Sequence, residues 1–294
     1  MLDADRKLRH GTVCIKVGSA VVAPDGLLSE AEVGRLAREL CAVREAGARV
    51  VLVSSGAVAC GLSAMGLPGM PDRMSDRQAA AAAGQPALMA AWSAAFGAFG
   101  VRVGQILLTA DDIEDRARFI NARRTLGALM DAGVVPIVNE NDSVSFDELR
   151  VGDNDRLSAF AAGLCGASLL VLLSAAPGLC EGGPGGPVLG EVLNIADATE
   201  HVSSERSSTG VGGMATKLDA AHLARDMGIE TVIAPGRVCD AERDSVLRIV
   251  RGDAIGTRFP VPDTDGVRGG MGLARKHWIG AAARPRGVIE VDAG

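Results

Sequence analysis

TVCIKVGSAVVAPDGLLSEAEVGRLARELCAVREAGARVVLVSSG, residues 12 to 56, runs through three patterns in succession. TVCIKV (12 to 17) is a short apolar run ended by Gly18. In residues 31 to 47, Val33, Leu36, Ala37, Leu40 and Val43 recur at helical spacing. RVVLVSSG then returns to an unbroken apolar run with a turn directly behind it. Strand, helix, strand in that order, with strands apolar on both faces, predicts a parallel pair covered on both sides.

The pattern continues outward. Further strands are expected at VRVGQILLT (101 to 109), VVPIV (134 to 138), SLLVLLS (168 to 174) and ETVIA (230 to 234), with helices near 85 to 99, 115 to 131, 154 to 165, 215 to 227 and 240 to 250. The alternation predicts an α/β chain: a three-layer α/β/α sandwich around a mostly parallel sheet. EGGPGGPVLG (181 to 190) reads as loop, and RFPVPDTDGVRGGMG (258 to 272) as linker. We therefore expect one domain over 1 to 257 and a short appendage over 258 to 294, too small for a core of its own. Open parallel sheets bind ligands outside the carboxyl ends of their strands. KVGS, SSGA and NEND fall there, so chemistry is sought at strand ends.

Composition narrows the function. The 294 residues are 48% hydrophobic and 22% charged, as in a soluble globular protein. No apolar stretch approaches a membrane span, and MLDADRKLRHG lacks the apolar region of a signal peptide, so a cytoplasmic location without membrane contact is expected. Cysteines 14, 41, 60, 165, 180 and 239 form no C-x-x-C pair and read as reduced thiols. His10, His201, His222 and His277 are scattered and suggest neither a metal cage nor a Ser-His-Asp arrangement. A net charge of -6 argues against a nucleic-acid partner. Of 30 basic residues only Lys7, Lys16, Lys217 and Lys276 are lysine. Lys16 and Lys217 lie in glycine-containing turns, where a compact ammonium suits a transferring phosphoryl group.

Four stretches are candidates for chemistry. KVGSAVV (16 to 22) places backbone N–H groups beside an ammonium, an anion cradle, although no G-x-x-x-x-G-K-[ST] loop occurs. In VSSGAVACG (53 to 61), Ser54 or Ser55 either caps the following helix or meets a ligand. In STGVGGMATKL (208 to 218), glycines 210, 212 and 213 form a wrap for phosphate. Lys217 falls in the first helical turn, where it opposes the helix dipole by ~0.3 to 1 kcal/mol and calls for an anion. In NENDSVSFDELRVGDND (139 to 155), Asp142, Asp153, Asn154 and Asp155 precede a helix. One of them is expected to cap it, and four exceed what capping requires.

KVGSAVV, VLVSSGAVACG, GQILLT, FINARRTLGALMDAGVVPIVNENDSV with VGDNDRLSA, and GGMATKLDAA with IETVIAPG together resemble the glutamate 5-kinases of the amino acid kinase superfamily over residues 11 to 257. RKHWI…GVIEVDAG resembles the linker and opening strand of a PUA domain. The resemblance implies ATP-dependent phosphorylation of the L-glutamate side-chain carboxylate, the first step towards proline, in a dimer or tetramer. Lys16 and Lys217 would neutralise the phosphates with Asp155 orienting them, and Mg2+ would bridge the ATP phosphates. Ser55, Gly56, Ala57, Asp142, Asp153 and Asn154 would hold glutamate. Lys16, Gly18, Ser174, Val211, Gly212, Gly213, Met214 and Lys217 would hold the nucleotide. Where the family has T-D-x-x-G-L-Y, this chain reads SAAPGLCEGG (174 to 183), and Val211 stands for a usual threonine. These departures leave open a paralogous kinase for a glutamate-like carboxylate or a catalytically weak amino-acid sensor.

Overall fold

The computed structural model describes residues 8, 10–145, 154–198, 201, 213–237 and 245–262. Seven strands form one sheet: β1 (Thr12–Val17), β2 (Arg49–Ser54), β3 (Val103–Leu108), β4 (Val135–Glu140), β5 (Leu169–Ser174), β6 (Glu230–Pro235) and β7 (Thr257–Phe259). The order is β3-β4-β2-β1-β5-β6-β7, and only β7 is antiparallel. The helices are α1 (Ser19–Val22), α2 (Glu30–Glu45), α3 (Ala57–Ala64), α4 (Met74–Gly97), α5 (Ala110–Glu114), α6 (Arg116–Asp131), α7 (Asn154–Cys165), α8 (Ile195–Ala198), α9 (Met214–Asp226) and α10 (Ser245–Arg251).

Strand alternation sends Val13, Ile15 and Val17 into one core with α1, α2, α3, α4 and α10. Cys14 faces a second core, on the other side of the sheet, with α5, α6, α7, α8 and α9. The expected three-layer sandwich is therefore present. Three helix starts have a local side-chain cause: Ser29 accepts from the Glu32 N–H at α2, Thr109 and Asp112 form a reciprocal cap at α5, and Asp115 caps α6.

The faces taken by the connections locate the clefts. β5 leaves towards α9, while its neighbours β1 and β6 leave towards α2 and α10 on the opposite face. β2 leaves towards α3 and α4 while its neighbour β4 leaves towards α7. Adjacent strands whose connections part to opposite faces open a crevice at their carboxyl ends. The sheet thus has two such places: around β5, and between β2 and β4.

Two expectations are adjusted. The helix expected near 85 to 99 begins eleven residues earlier, at Met74, and carries Pro86 inside it. AAAAAG has high helix propensity but no polar and apolar contrast, and the proline imitates a helix start. β7 is three residues long, below the reach of a periodicity reading, and it carries the sheet to Phe259, past the seam expected after residue 257. The PUA-like stretch in the appendage falls outside the described residues. The five described cysteines are free, and burial pushes the Cys14 thiol well above its usual range, so it packs as a small apolar group. No helix among the described residues is long and apolar enough to cross a membrane.

Candidate active site

Lys16 sits one residue before the end of β1, level with Val53 of β2 and Leu172 of β5. By the same alternation that turns Cys14 towards α7, its side chain emerges on the α7 and α9 side. There its Nζ lies 2.6 Å from Asp155 Oδ1, and Lys217 Nζ, in the first turn of α9, lies 3.0 Å from Asp155 Oδ2. Lys16 is 5% exposed, Lys217 6% and Asp155 not at all. Thr216 Oγ1 is 2.9 Å from both Asp155 Oδ2 and the Gly213 carbonyl, and its single proton serves one of the two.

Burial alone would push the Asp155 carboxyl up. The Lys16 and Lys217 ammoniums, by charge and by hydrogen bonding, more than offset it and hold the group at about 2. The anion that Lys217 requires at a helix start is therefore Asp155 of the protein itself. Two ammoniums against one carboxylate leave this buried cluster with a surplus positive charge at the strand ends, next to the N-terminus of α9. Asp155 is thus held by both lysines from inside the first turn of α7.

Asn154, the preceding residue, turns the other way. Its Nδ2 donates to Ser55 Oγ at 2.8 Å and to Asn139 Oδ1 at 3.1 Å, and Asn139 Nδ2 donates in turn to Gln85 Oε1 at 2.9 Å. At the ends of this amide chain, Asn154 Oδ1 and Gln85 Nε2 are buried without a hydrogen-bond partner among the described residues. A buried acceptor and a buried donor left over are each expensive, by ~1 to 3 kcal/mol. A ligand bearing both an ammonium and a carboxylate would satisfy them.

Ser55 is thereby placed by Asn154, and its N–H by the Val17 carbonyl at 3.0 Å. Neither serine caps α3. Gly56 does so with φ +116, a backbone that side chains rarely adopt, while Ser54 Oγ accepts from Trp92 Nε1 at 2.9 Å. Ala57 opens α3 and is buried. Asp142 lies two residues past β4. Burial and then the neighbouring Glu140 push its carboxyl up to about 6. Its loop is tied down by Gln78 Nε2 donating to the Ser145 carbonyl at 2.9 Å and by Ser145 Oγ against Glu140 Oε1 at 2.5 Å.

On the other side of the cluster, Gly18 is not a free donor as the sequence suggested, since its N–H meets the Leu173 carbonyl at 3.2 Å. Ser174 Oγ accepts from the Ala176 N–H at 3.1 Å, so its hydroxyl shapes the turn after β5. Gly213 and Met214 begin α9 beside Lys217. Asp153, Val211 and Gly212 fall outside the described residues. Sequence reading missed Thr216, Asn139 and Gln85. The TK pair and the first residue of NEND carried a signal for the first two, whereas Gln85 stands in an alanine-rich run that offered none.

A mostly parallel sheet with two buried lysines sharing one aspartate at its strand ends, beside an amide cluster with unsatisfied atoms, marks an α/β protein whose strand ends carry surplus positive charge. Within that class the chain belongs to the amino acid kinase family, whose sequence model matches residues 11 to 235. It is 41% identical to the glutamate 5-kinase of Shewanella pealeana, covering 98% of this chain and 76% of that protein. It is 45% identical to the Bifidobacterium longum enzyme of the same name, covering 97% and 74%. For the Gloeobacter violaceus glutamate 5-kinase the figures are 44%, 95% and 75%.

Proposed function

We propose that this chain transfers the γ-phosphoryl group of ATP to the side-chain carboxylate of L-glutamate, giving L-glutamyl 5-phosphate and ADP, the first step of a route to proline. The observation that carries the reading is the surplus positive charge of the Lys16–Asp155–Lys217 cluster, one residue along α7 from the amide cluster of Asn154. The family and the named relatives support it.

A glutamate carboxylate oxygen attacks the γ-phosphorus as the bond to the β,γ-bridging oxygen breaks, and ADP leaves. The nucleophile is already ionised near neutral pH, so no proton is removed and no general base is needed. Catalysis is then positioning and charge stabilisation, which is what two ammoniums supply to the equatorial and leaving oxygens. Asp155 holds both lysines and keeps them from turning to solvent. Asp142 and Asn154 Oδ1 accept from the substrate ammonium, assisted by Asp153. The Ser55 hydroxyl and the backbone N–H groups at Gly56 and Ala57 meet a carboxylate. Gly18, Ser174, Val211, Gly212, Gly213 and Met214 line the nucleotide.

Among the described residues no three His, Cys, Asp or Glu side chains gather to hold a metal ion. Asp155, the acid between the two lysines, is spent on them. Mg2+ would be held by the ATP phosphates and supply further charge neutralisation there. We place the enzyme in the cytoplasm as a homo-oligomer.

The test is ADP release by the full chain with L-glutamate, ATP and Mg2+, together with hydroxylamine trapping of the acyl phosphate. Glutamate-dependent ADP and a matching yield of hydroxamate are expected. Glutamate binding without either product would replace the kinase by an amino-acid sensor, a reading that Ala175 and Cys180 in the turn after β5 would then explain.

A further inference from the structure

Arg35 and Glu39 of α2 form a charged pair that the proposed chemistry does not use, on a helix packed against the face of the sheet opposite α7 and α9. Glu39 is 3% exposed. Arg35 Nη1 meets its Oε1 at 2.5 Å, and Arg35 Nε meets Glu32 Oε2 at 2.9 Å. The third guanidinium nitrogen, Nη2, donates to the Gly236 carbonyl just past β6. Glu39 Oε2 accepts from Ser245 Oγ at 3.0 Å and from the Val246 N–H at 2.9 Å, and so caps α10 from another helix. One pair of side chains on α2 thus holds both ends of the β6 to α10 connection.

Gly236 is where that hold meets the nucleotide side. Its N–H donates to the Ser174 carbonyl at 2.7 Å. A Cβ on it would come within 2.5 Å of Val21 in α1 and 3.3 Å of Leu173 Cβ, so bare backbone is packed against both the turn after Lys16 and the end of β5. The peptide is planar and trans, so a Gly236 carbonyl turned towards α2 points the Arg237 N–H away from α2. No backbone acceptor for that N–H occurs among the described residues.

α2 does not need the pair to stay in place. Val33, Leu36, Leu40 and Val43 are fully buried, at ~1.5 to 3 kcal/mol each. Buried ion pairs stabilise little compared with apolar side chains of similar size. From this placement, and resting on the kinase reading above, we propose that Arg35, held by Glu39, is a positioning residue for the nucleotide. It fixes the end of β6 and, through Gly236, the turns that carry Ser174 and Gly18.

The test uses the full chain and measures ATP binding by calorimetry, the KM for ATP and for glutamate, and thermal unfolding. Arg35→Met is expected to weaken ATP binding and raise its KM by about tenfold or more, the scale of a lost hydrogen bond to a charged group. The glutamate KM should stay within about twofold, because Asn154, Ser55 and Asp142 share no contact with the pair. Arg35→Lys should recover only part, since one ammonium cannot span Glu39, Glu32 and the Gly236 carbonyl. If Arg35→Met does not fold, Glu39→Gln takes its place, keeping the shape and losing only the charge. Unchanged ATP binding with a lower melting temperature would overturn the proposal and leave a structural staple. Equal rises in both KM values would overturn it too. Native chain that binds ATP but releases no ADP would refute the kinase reading alone, with ATP affinity still deciding the role of Arg35. Native chain that binds no ATP would refute both.

Discussion

Replacing Asp155 by asparagine keeps the shape of the side chain and removes the one negative charge between two buried ammoniums. A carboxyl held at about 2 against an ordinary 3.8 favours its charged form by ~2 to 3 kcal/mol, at 1.36 kcal/mol per pH unit. Removing one member of a buried charged set costs ~3 to 5 kcal/mol, because the partners stay buried without it. We therefore expect Asp155→Asn to lose about 2 to 5 kcal/mol, a fall in melting temperature of roughly 5 to 15 °C for a chain of this size. The sign with pH follows from the depressed value. The stabilisation is complete above the ordinary carboxylate range near 4 and is lost as pH falls through about 2, so the two chains should converge in acid. Mg-ATP supplies the missing negative charge, so it should raise the melting temperature of the variant more than that of the native chain. Turnover, read as coupled ADP release, should fall by at least ~100-fold, since neither lysine is then held in place. A variant that melts within about 2 °C of native and turns over within about fivefold would refute the role given to Asp155 here.

Lys217→Ala should lower kcat by at least ~100-fold with the fold intact by circular dichroism, the scale of one positioned transition-state charge. Near-normal turnover would remove Lys217 from the mechanism. Asp142, pushed up to about 6 in the free chain, must be ionised to accept an ammonium as a charge partner. The KM for glutamate should rise up to about tenfold per pH unit below 6 and level off above it, where glutamate itself does not titrate until near 4. Asp142→Asn should raise KM and flatten that profile, and an unchanged profile would assign the titration elsewhere. Because the shift is upward, Asp142 works against stability as pH rises from about 4 to 6, opposite in sign to Asp155. In the nucleotide loops, Ala175→Asp with Val211→Thr should tighten ATP binding by about 5- to 150-fold under saturating glutamate, the worth of two ordinary hydrogen bonds. Tight binding by the native chain with no gain in the variant would show that the loop reaches the nucleotide by other contacts.

The fold was legible wherever a pattern ran for five or more residues. TVCIKV, RVVLVS and LLVLLS are apolar except at their ends and at Lys16 because both faces are buried, and that separates a central parallel strand from an edge. α4 was half hidden, since buried Leu88, Trp92 and Phe96 give a period but the preceding alanines do not. The site was legible as residue types but not as pairings. Lys217 visibly lacked an anion, and nothing in sequence could say that the anion lay 62 residues upstream. The serines at the end of β2 were open to a capping role, and the structure decides against it by giving the cap position to Gly56 and the hydroxyls to Trp92 and Asn154. The Arg35–Glu39 pair carried no sequence signal, because two charges four residues apart on a helix read as a surface pair. Its meaning comes from Gly236 and Ser245, some 200 residues away.

The start of α7 is where the two halves of the proposed reaction meet. Asn154 and Asp155 are consecutive, and successive helical side chains diverge by about 100°. That divergence sends the amide to Ser55 and Asn139 at the β2 and β4 crevice and the carboxylate to Lys16 and Lys217 at the β1 and β5 crevice. Two ligands bound at separate crevices are therefore referred to the same peptide unit, so their reacting atoms share one rigid frame instead of two loops moving independently. Holding reactants in that way is the part of catalysis that a carboxylate nucleophile, with no proton to lose, most requires. It also gives a reason for amide and acidic residues both at the end of β4 and at the start of α7. In the proposed reaction one set would answer the charge of the amino acid, while Asp155 fixes the lysines that would answer the phosphate.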